Sequence, residues 1–519
     1  MSRYIMAHDL GTSGHKCSVF NLNGKAVASA SMSYPTYYGE RGAAEQDPAD
    51  WWEAVVQTTR SVLERVEPAS IAAIGFSAHM MGVCPVDHEG TPLGRAMIHA
   101  DTRSAELEQE AFSLIDPVRF YERTGNRLDS HYPLLKLLWL KRRRPDIYRR
   151  AAHFVQAKDY LVWKMSGMRG ITDFSDASLT GMFHIGKCRW DDDIMAAFGI
   201  ESAKLPDIVP SATPAGGVTA EAAAATGLLP GTPVILGGGD GSCAALGAGA
   251  IAPGDAYVYL GTTAWVSRVV GAPALDTSRR IFTMCGPTAG LYNALGTMQT
   301  AGAAYQWAVR ELASRESLLA GQSGQTGQIG QAGQTGQSPY ELVENEIGKL
   351  PWGADGLLFH PYLMGERSPL WDEEVRSLFF GLSLSHTRFH MLRAVLEGVA
   401  YALRSIAEPL QESIPIDRYT VIGGGMKSPA WREIMASALD APIRVPLQME
   451  EATSLGAAMS AGVAIGAYAD YADAWRQFDG GSYEYKPQAD RDRVLAGYSL
   501  YRELYDRLQE LYPQLQQLR

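Results

Sequence analysis

Three short stretches carry residues whose types and spacing can do chemistry. The first is Asp9-Leu10-Gly11-Thr12-Ser13-Gly14, at the end of the apolar run Tyr4-Ile5-Met6-Ala7-His8. A carboxylate sits at the strand tip, followed by hydroxyls and glycines in a turn too tight for larger side chains. Glycine lets the backbone approach a ligand closely, exposed N–H groups suit phosphate oxygens, and Asp9 can hold a Mg²⁺ that bridges them. The run Ala256-Tyr257-Val258-Tyr259, leading into Leu260-Gly261-Thr262-Thr263, repeats this pattern mid-chain. Two such units predict a two-lobed protein with a phosphate chain between the lobes. The second stretch is Gly237-Gly238-Gly239-Asp240-Gly241, after the apolar strand Pro233-Val234-Ile235-Leu236. Sheets of alternating strand and helix place ligands at such strand ends. Asp240 is there either a helix cap or a catalytic carboxylate. The third is Gly423-Gly424-Gly425, after Tyr419-Thr420-Val421-Ile422. It leads through Lys427 into a helix and can admit a flat ring against bare backbone. Together the glycine turns suggest a ligand with a phosphate chain and a ring.

A nicotinamide-dependent dehydrogenase is the rival reading, because Gly239-Asp240-Gly241-Ser242-Cys243-Ala244 fits a loose dinucleotide pattern. The downstream acid, Asp255, comes too soon and opens a strand instead of closing one. A third reading is a nucleotide-binding scaffold that hydrolyses ATP slowly without a second substrate. No Walker A triplet is present, since Met426 precedes Lys427-Ser428.

The elements that must position these residues alternate between strand and helix, which predicts an α/β protein. Strands are expected at 4–8, 16–21, 71–76, 83–87, 233–236, 256–260, 264–270, 281–284, 291–296, 356–359 and 419–422. Asp47-Pro48 starts a helix by cap and first-turn proline. Other helices are expected at 101–115, 133–143, 157–166, 299–319, 386–411, 428–440, 452–466 and 488–517. Residues 321–337 repeat Gly-Gln-X, a composition that cannot bury a core and reads as a flexible surface loop.

At 519 residues the chain exceeds what one core supports. The expected division is an N-terminal domain over 1–250, a second domain over 251–485, and a helix over 486–519. A net charge of −11 excludes nucleic acid as a partner, because no basic excess exists to neutralise phosphates. The Lys141-Arg142-Arg143-Arg144 run reads as a helix end. Five cysteines without metal or redox spacing predict a reduced, cytoplasmic interior. The start of the chain lacks signal-peptide flanks, and the Ala452 to Ala469 run, rich in small residues, predicts a closely packed helix and not a membrane span.

Ordered matches along nearly the whole chain resemble the FGGY carbohydrate kinases, which have two actin-like, ribonuclease-H-like domains with a cleft between them. They include Asp9–Lys16, Glu45-Gln46-Asp47-Pro48-Ala49-Asp50-Trp51-Trp52, Lys158-Asp159-Tyr160-Leu161 and Thr172-Asp173-Phe174-Ser175-Asp176-Ala177-Ser178. Further on come Gly237–Asp240, the stretch Pro361–Pro369, Arg393–Ala400 and Gly423–Trp431. The resemblance implies that Asp240 is the general base and that Asp9 positions Mg²⁺. It implies that Thr12, Ser13 and Lys16 on one lobe, and Gly261, Thr262, Thr263, Gly302 and Gln306 on the other, hold the phosphates of ATP. It places Gly424, Gly425 and Lys427 at the adenosine, and a homodimer is a common assembly in the family.

Within the family the pattern is most similar to the xylulokinases, so a pentulose such as xylulose is the expected acceptor. The sugar pocket departs from that pattern. Ser77-Ala78-His79-Met80-Met81-Gly82 stands where those kinases carry a histidine at the position of Met81, and Gly241 replaces an asparagine. His79, Met80, Met81, Asp101 and Asp240 are the expected sugar-facing residues, and His99 is a further candidate. Lost hydrogen-bonding groups change which hydroxyls a site accepts, so another ketose or a polyol is the alternative substrate. The glycerol kinase triplet Gln-Arg-Glu is missing from 77–82.

Overall fold

The computed structural model describes residues 4–313, 339–478 and 480–518. The Gly-Gln-X repeat and the last part of the helix expected over 299–319 lie outside the described residues. The chain forms two compact units: Met1–Gly254 with Arg268–Ala294 and Glu450–Gly481, and Asp255–Ser267 with Leu295–Met449 and Ser482–Arg519.

The first unit is built on a six-stranded sheet. Tyr4–Leu10 pairs antiparallel with Gly14–Asn21, which pairs antiparallel with Ala26–Ser33. On its other edge Tyr4–Leu10 pairs parallel with Ile71–Ala78, and that strand pairs parallel with Pro233–Gly239. Helix Pro48–Leu63 covers one face. Its cap is Asp47, whose carboxylate accepts the Ala49 N–H at 2.9 Å. Its inward residues Trp51, Val55 and Val62 join Met6, Val19, Ile74 and Phe76 in one core. The other face carries helix Ala452–Ala464, which is almost entirely buried. Small residues let it lie close to the sheet: a Cβ on Gly75 would meet the Ala457 carbonyl oxygen at 2.4 Å. It packs as closely on helix Asp240–Gly247, where a Cβ on Gly456 would lie 2.0 Å from the Cys243 oxygen.

In the second unit Ala256–Leu260 pairs parallel with Tyr419–Ile422, and that strand with Ile443–Pro446. Ser482–Tyr485 adds an antiparallel edge. The long helix Arg388–Gln411 and helix Pro429–Leu439 bury their apolar faces in this unit.

Several boundaries differ from expectation for local reasons. The strand expected at 233–236 continues to Gly239, with a break in register after Ile235. The helix expected from 299 begins at Gly302, because the Ala301 and Gly302 N–H groups are bonded to the Thr262 and Gly261 carbonyls. Asp355 and Gly356 adopt positive φ, so the expected 356–359 strand is Leu358–His360. The last helix divides into Arg491–Leu508 and Tyr512–Gln516, with Pro513 opening the second piece. No described helix is long and apolar enough to cross a membrane.

Candidate active site

In the first unit the ends of three parallel strands position the candidate residues. Ile71–Ala78 is central, and its Ser77 stands opposite Asp9 on one side and Gly238 on the other. Asp240 is the second residue beyond Gly238 and opens helix Asp240–Gly247. Asp9 and Asp240 therefore project from neighbouring ends of the same sheet. The cap of that helix is Gly239, not Asp240, so the capping alternative does not describe Asp240. Its Oδ1 accepts the N–H of the next residue, Gly241, at 2.7 Å.

Burial raises the Asp240 carboxyl to about 6, against a smaller opposing effect of the Gly241 N–H. Asp9 is raised to about 7, first by burial and next by the charge of Asp240, with Lys16 and Ser77 pulling the other way. Two carboxyls that resist ionising together gain from a divalent cation, and Mg²⁺ is usually held by one or two carboxylates plus phosphate oxygens. The donor set fits that ion; among the described residues no group of three or more potential ligands forms a closed metal cage.

Thr12 and Ser13 are exposed in the turn between the first two strands. Gly11 N–H bonds the Gly14 carbonyl at 2.9 Å. The turn is held from outside by Gln46, whose Nε2 donates to the Thr12 carbonyl at 2.7 Å, and by the Tyr34 hydroxyl on the Gly11 carbonyl. Lys16 faces Asp9 across the antiparallel ladder and is ion-paired with Glu451. Glu451 also accepts the Ser18 hydroxyl at 2.8 Å. Glu451 was not a sequence candidate; no motif ties it to Lys16, 435 positions earlier.

The sugar-facing candidates follow Ala78. His79 donates its N–H to the Leu10 carbonyl at 2.8 Å. Its ring is buried edge-on to Trp51, at 5.5 Å, and lies 6.5 Å from His99. Among the described residues neither ring nitrogen has a hydrogen-bond partner. Burial, then the charge of Lys136, lowers the imidazole to about 4, so it is neutral at pH 7. Met80 lies against Gly239, where a Cβ would sit 2.4 Å from its sulfur. Met81 has φ of 65° and is pinned by Gln156 on its N–H, at 2.7 Å, and by Lys136 on its carbonyl, at 2.9 Å. Asp101 is fully buried. It accepts the Ala44 N–H at 2.9 Å and pairs with Arg103 at 2.6 Å, and Arg103 also reaches Glu45.

The second unit holds a cavity of about 1160 Å³. Of the expected nucleotide residues, Gly261, Thr262, Gly302, Gln306, Gly424, Gly425 and Lys427 line it, and Thr263 does not. The 261–263 turn sits directly on the start of helix Gly302–Ala308: a Cβ on Gly302 would lie 2.3 Å from the Gly261 oxygen. The three glycines at 423–425 have separate tasks. Gly423 takes φ of 99°, Gly425 packs against Leu260, and Gly424 faces open space. Sequence reasoning missed the aromatic wall. Tyr259 stacks on Trp265 at 4.0 Å, and Tyr305 meets Tyr340 at 5.8 Å and Trp431 at 5.4 Å. Such faces suit a planar ring. Glu344 was missed as well. It accepts the Ser428 hydroxyl and the Ala430 N–H, at 2.5 and 3.0 Å, and so ties helix Pro339–Ile347 to the loop after Gly425.

The dinucleotide pattern at 239–244 is used for packing. Gly239 accommodates Met80, and Gly241 lies where a Cβ would be 3.1 Å from the Met284 methyl.

Residues 4–247 match the FGGY family of carbohydrate kinases, N-terminal domain, and residues 256–465 match the C-terminal domain of the same family. The chain is 32% identical over 497 residues to a gluconokinase of Bacillus subtilis (strain 168), covering 94% of this chain and 93% of that one. It is 28% identical over 526 residues to a xylulose kinase of the same organism, covering 100% and 99%. A crystal structure of gluconate kinase from Lactobacillus acidophilus superposes with a TM-score of 0.88 at 26% identity, covering 99% of this chain and 100% of that one.

Proposed function

The chain belongs to the FGGY family of carbohydrate kinases, with actin-like α/β domains, and we propose that it moves the γ-phosphate of ATP to a sugar hydroxyl with Asp240 as general base. The observation that carries this reading is the Asp240 carboxyl at the strand ends, raised to about 6 beside Asp9. A base works best when its pKa lies near the working pH. Phosphoryl transfer otherwise asks for alignment and charge neutralisation more than for covalent help. Asp9 is the residue that would hold Mg²⁺, which when bound neutralises charge on the phosphates. The 261–263 turn, Gly302, Gln306 and the 424–427 loop hold the nucleotide, with the ring against Tyr305 and Trp431. Thr12 and Ser13 serve the transferred phosphate, and Lys16 does so from its pair with Glu451.

The acceptor we assign is a pentulose such as xylulose, in line with the full-length likeness to xylulose kinases, although the 77–82 stretch departs from their pattern. A second reading, gluconate, is supported by the higher identity to the gluconokinase, 32% against 28%. His79, Met80, Met81, Asp101 and Asp240 are the groups we assign to the acceptor. Five free cysteines suit a reducing cytoplasm.

ADP release measured with MgATP and, in turn, xylulose, gluconate and glycerol tests the assignment. We expect release that depends on xylulose. Release driven by gluconate instead selects the second reading. A basal rate that none of these, nor a wider panel of ketoses and polyols, raises would contradict the kinase reading.

A further inference from the structure

Behind the strand ends lies a buried charged cluster that the proposed reaction does not use. Lys158 is fully buried, with Nζ 2.8 Å from Asp159, 3.4 Å from Asp173 and 3.3 Å from Asp176. Removing charges from water costs more than a buried pair commonly returns, so such a cluster is weak support for stability. Burial raises Asp159 and Asp176. The same burial pulls Lys158 down, but the three carboxylates outweigh it and keep the ammonium charged.

One path from the cluster toward Asp240 runs through Asp173. Asp173 Oδ2 accepts the Ser175 N–H at 3.0 Å, the Ser175 hydroxyl at 2.6 Å and the Ser211 hydroxyl at 2.8 Å. A serine hydroxyl has one proton and two lone pairs. With its proton on Asp173, Ser175 is left as an oriented acceptor, and it receives the Gly239 N–H at 2.9 Å. Gly239 is the residue before Asp240 and the cap of its helix. The ladder to Ile71–Ala78 shifts register between Ile235 and Gly238, where Gly237 turns to φ of 72°. Beyond that break, Ser175 takes the N–H that would otherwise need a strand partner.

We propose that Asp173 and Ser175, anchored by Lys158, are positioning residues that fix the peptide ahead of Asp240 and so aim its carboxylate. The proposal rests on Asp240 as the general base. Misplacing a reacting group by about 1 Å can cost roughly 10²-fold in rate, and losing one of the bonds that aims it costs part of that.

The test compares Ser175→Ala, Asp240→Asn and the double variant, with MgATP and whichever of xylulose and gluconate the wild-type enzyme turns over faster. Ser175→Ala is expected to lower kcat roughly tenfold, with both KM values within about twofold of wild type and a melting temperature lowered by the unpaired Gly239 N–H. On the Asp240→Asn background it should cost nothing further, because a residue that acts through another loses its effect when that one is gone. An equal loss on both backgrounds, or a wild-type kcat in Ser175→Ala, overturns the positioning role while leaving the base intact. Near-normal turnover in Asp240→Asn alone overturns the base, and the positioning role with it. If Ser175→Ala does not fold, Ser211→Ala removes one bond from Asp173 and leaves Ser175 in place. It should lower kcat by roughly threefold, and a wild-type kcat there overturns the proposal.

Discussion

A carboxylate that ionises near 4 is a weak base at neutral pH; one held near 6 keeps most of its ionised form at pH 7 and accepts a proton more readily. Burial gives Asp240 that character, and Asp240 in turn helps raise Asp9. The sign of the pH dependence follows. The proposed base acts when deprotonated, so kcat/KM is full well above the Asp240 value and falls as pH drops through about 6. The profile of kcat/KM for the acceptor from pH 4 to 8, which reports the free enzyme, should show this acid limb. A limb centred near 4 would mean that the carboxyl is as open to water as an ordinary surface aspartate. His79 is the opposite case. Its neutral imidazole, with both nitrogens unpartnered among the described residues, is ready to hydrogen-bond a hydroxyl without adding charge.

At the scale of elements, close approach decides what each glycine tolerates. Helices Asp240–Gly247 and Ala452–Ala464 touch through backbone, so Gly456→Ala must push the Cys243 carbonyl away. A strained contact of this kind costs about 1–3 kcal/mol, and the variant should show an earlier melting transition than wild type. Gly302→Val puts side-chain atoms onto the Gly261 carbonyl; it should raise the KM for ATP and leave the KM for the sugar unchanged in steady-state assays. These elements also show what a sequence displays. The strand ends at Asp9 and Asp240 were legible as strand ends, because each joins an apolar run to glycines and a carboxylate, but that pattern alone left a helix cap and a dinucleotide turn open. The register break at Gly237 was not, since it depends on how the strand meets Phe76. Glu451 and Glu344 were hidden for a related reason: each is tied to its partners by packing of segments far apart in sequence, and neither sits in a motif of its own.

At the scale of the molecule, the metal candidate Asp9 and the acceptor candidates Asp240, His79 and Asp101 belong to the first compact unit, and the residues lining the large cavity belong to the second. Variants in the cavity, such as Gly302→Val, should therefore act on ATP alone. Family membership fixes the reaction class, while relatives named for gluconate and for xylulose at 32% and 28% identity leave the acceptor to experiment. The account as a whole turns on one proton acceptor. Turnover of Asp240→Asn, with ATP binding followed in parallel, tests it most directly: the account predicts unchanged ATP affinity with kcat lowered roughly 10²–10⁴-fold, and turnover close to wild type would contradict it.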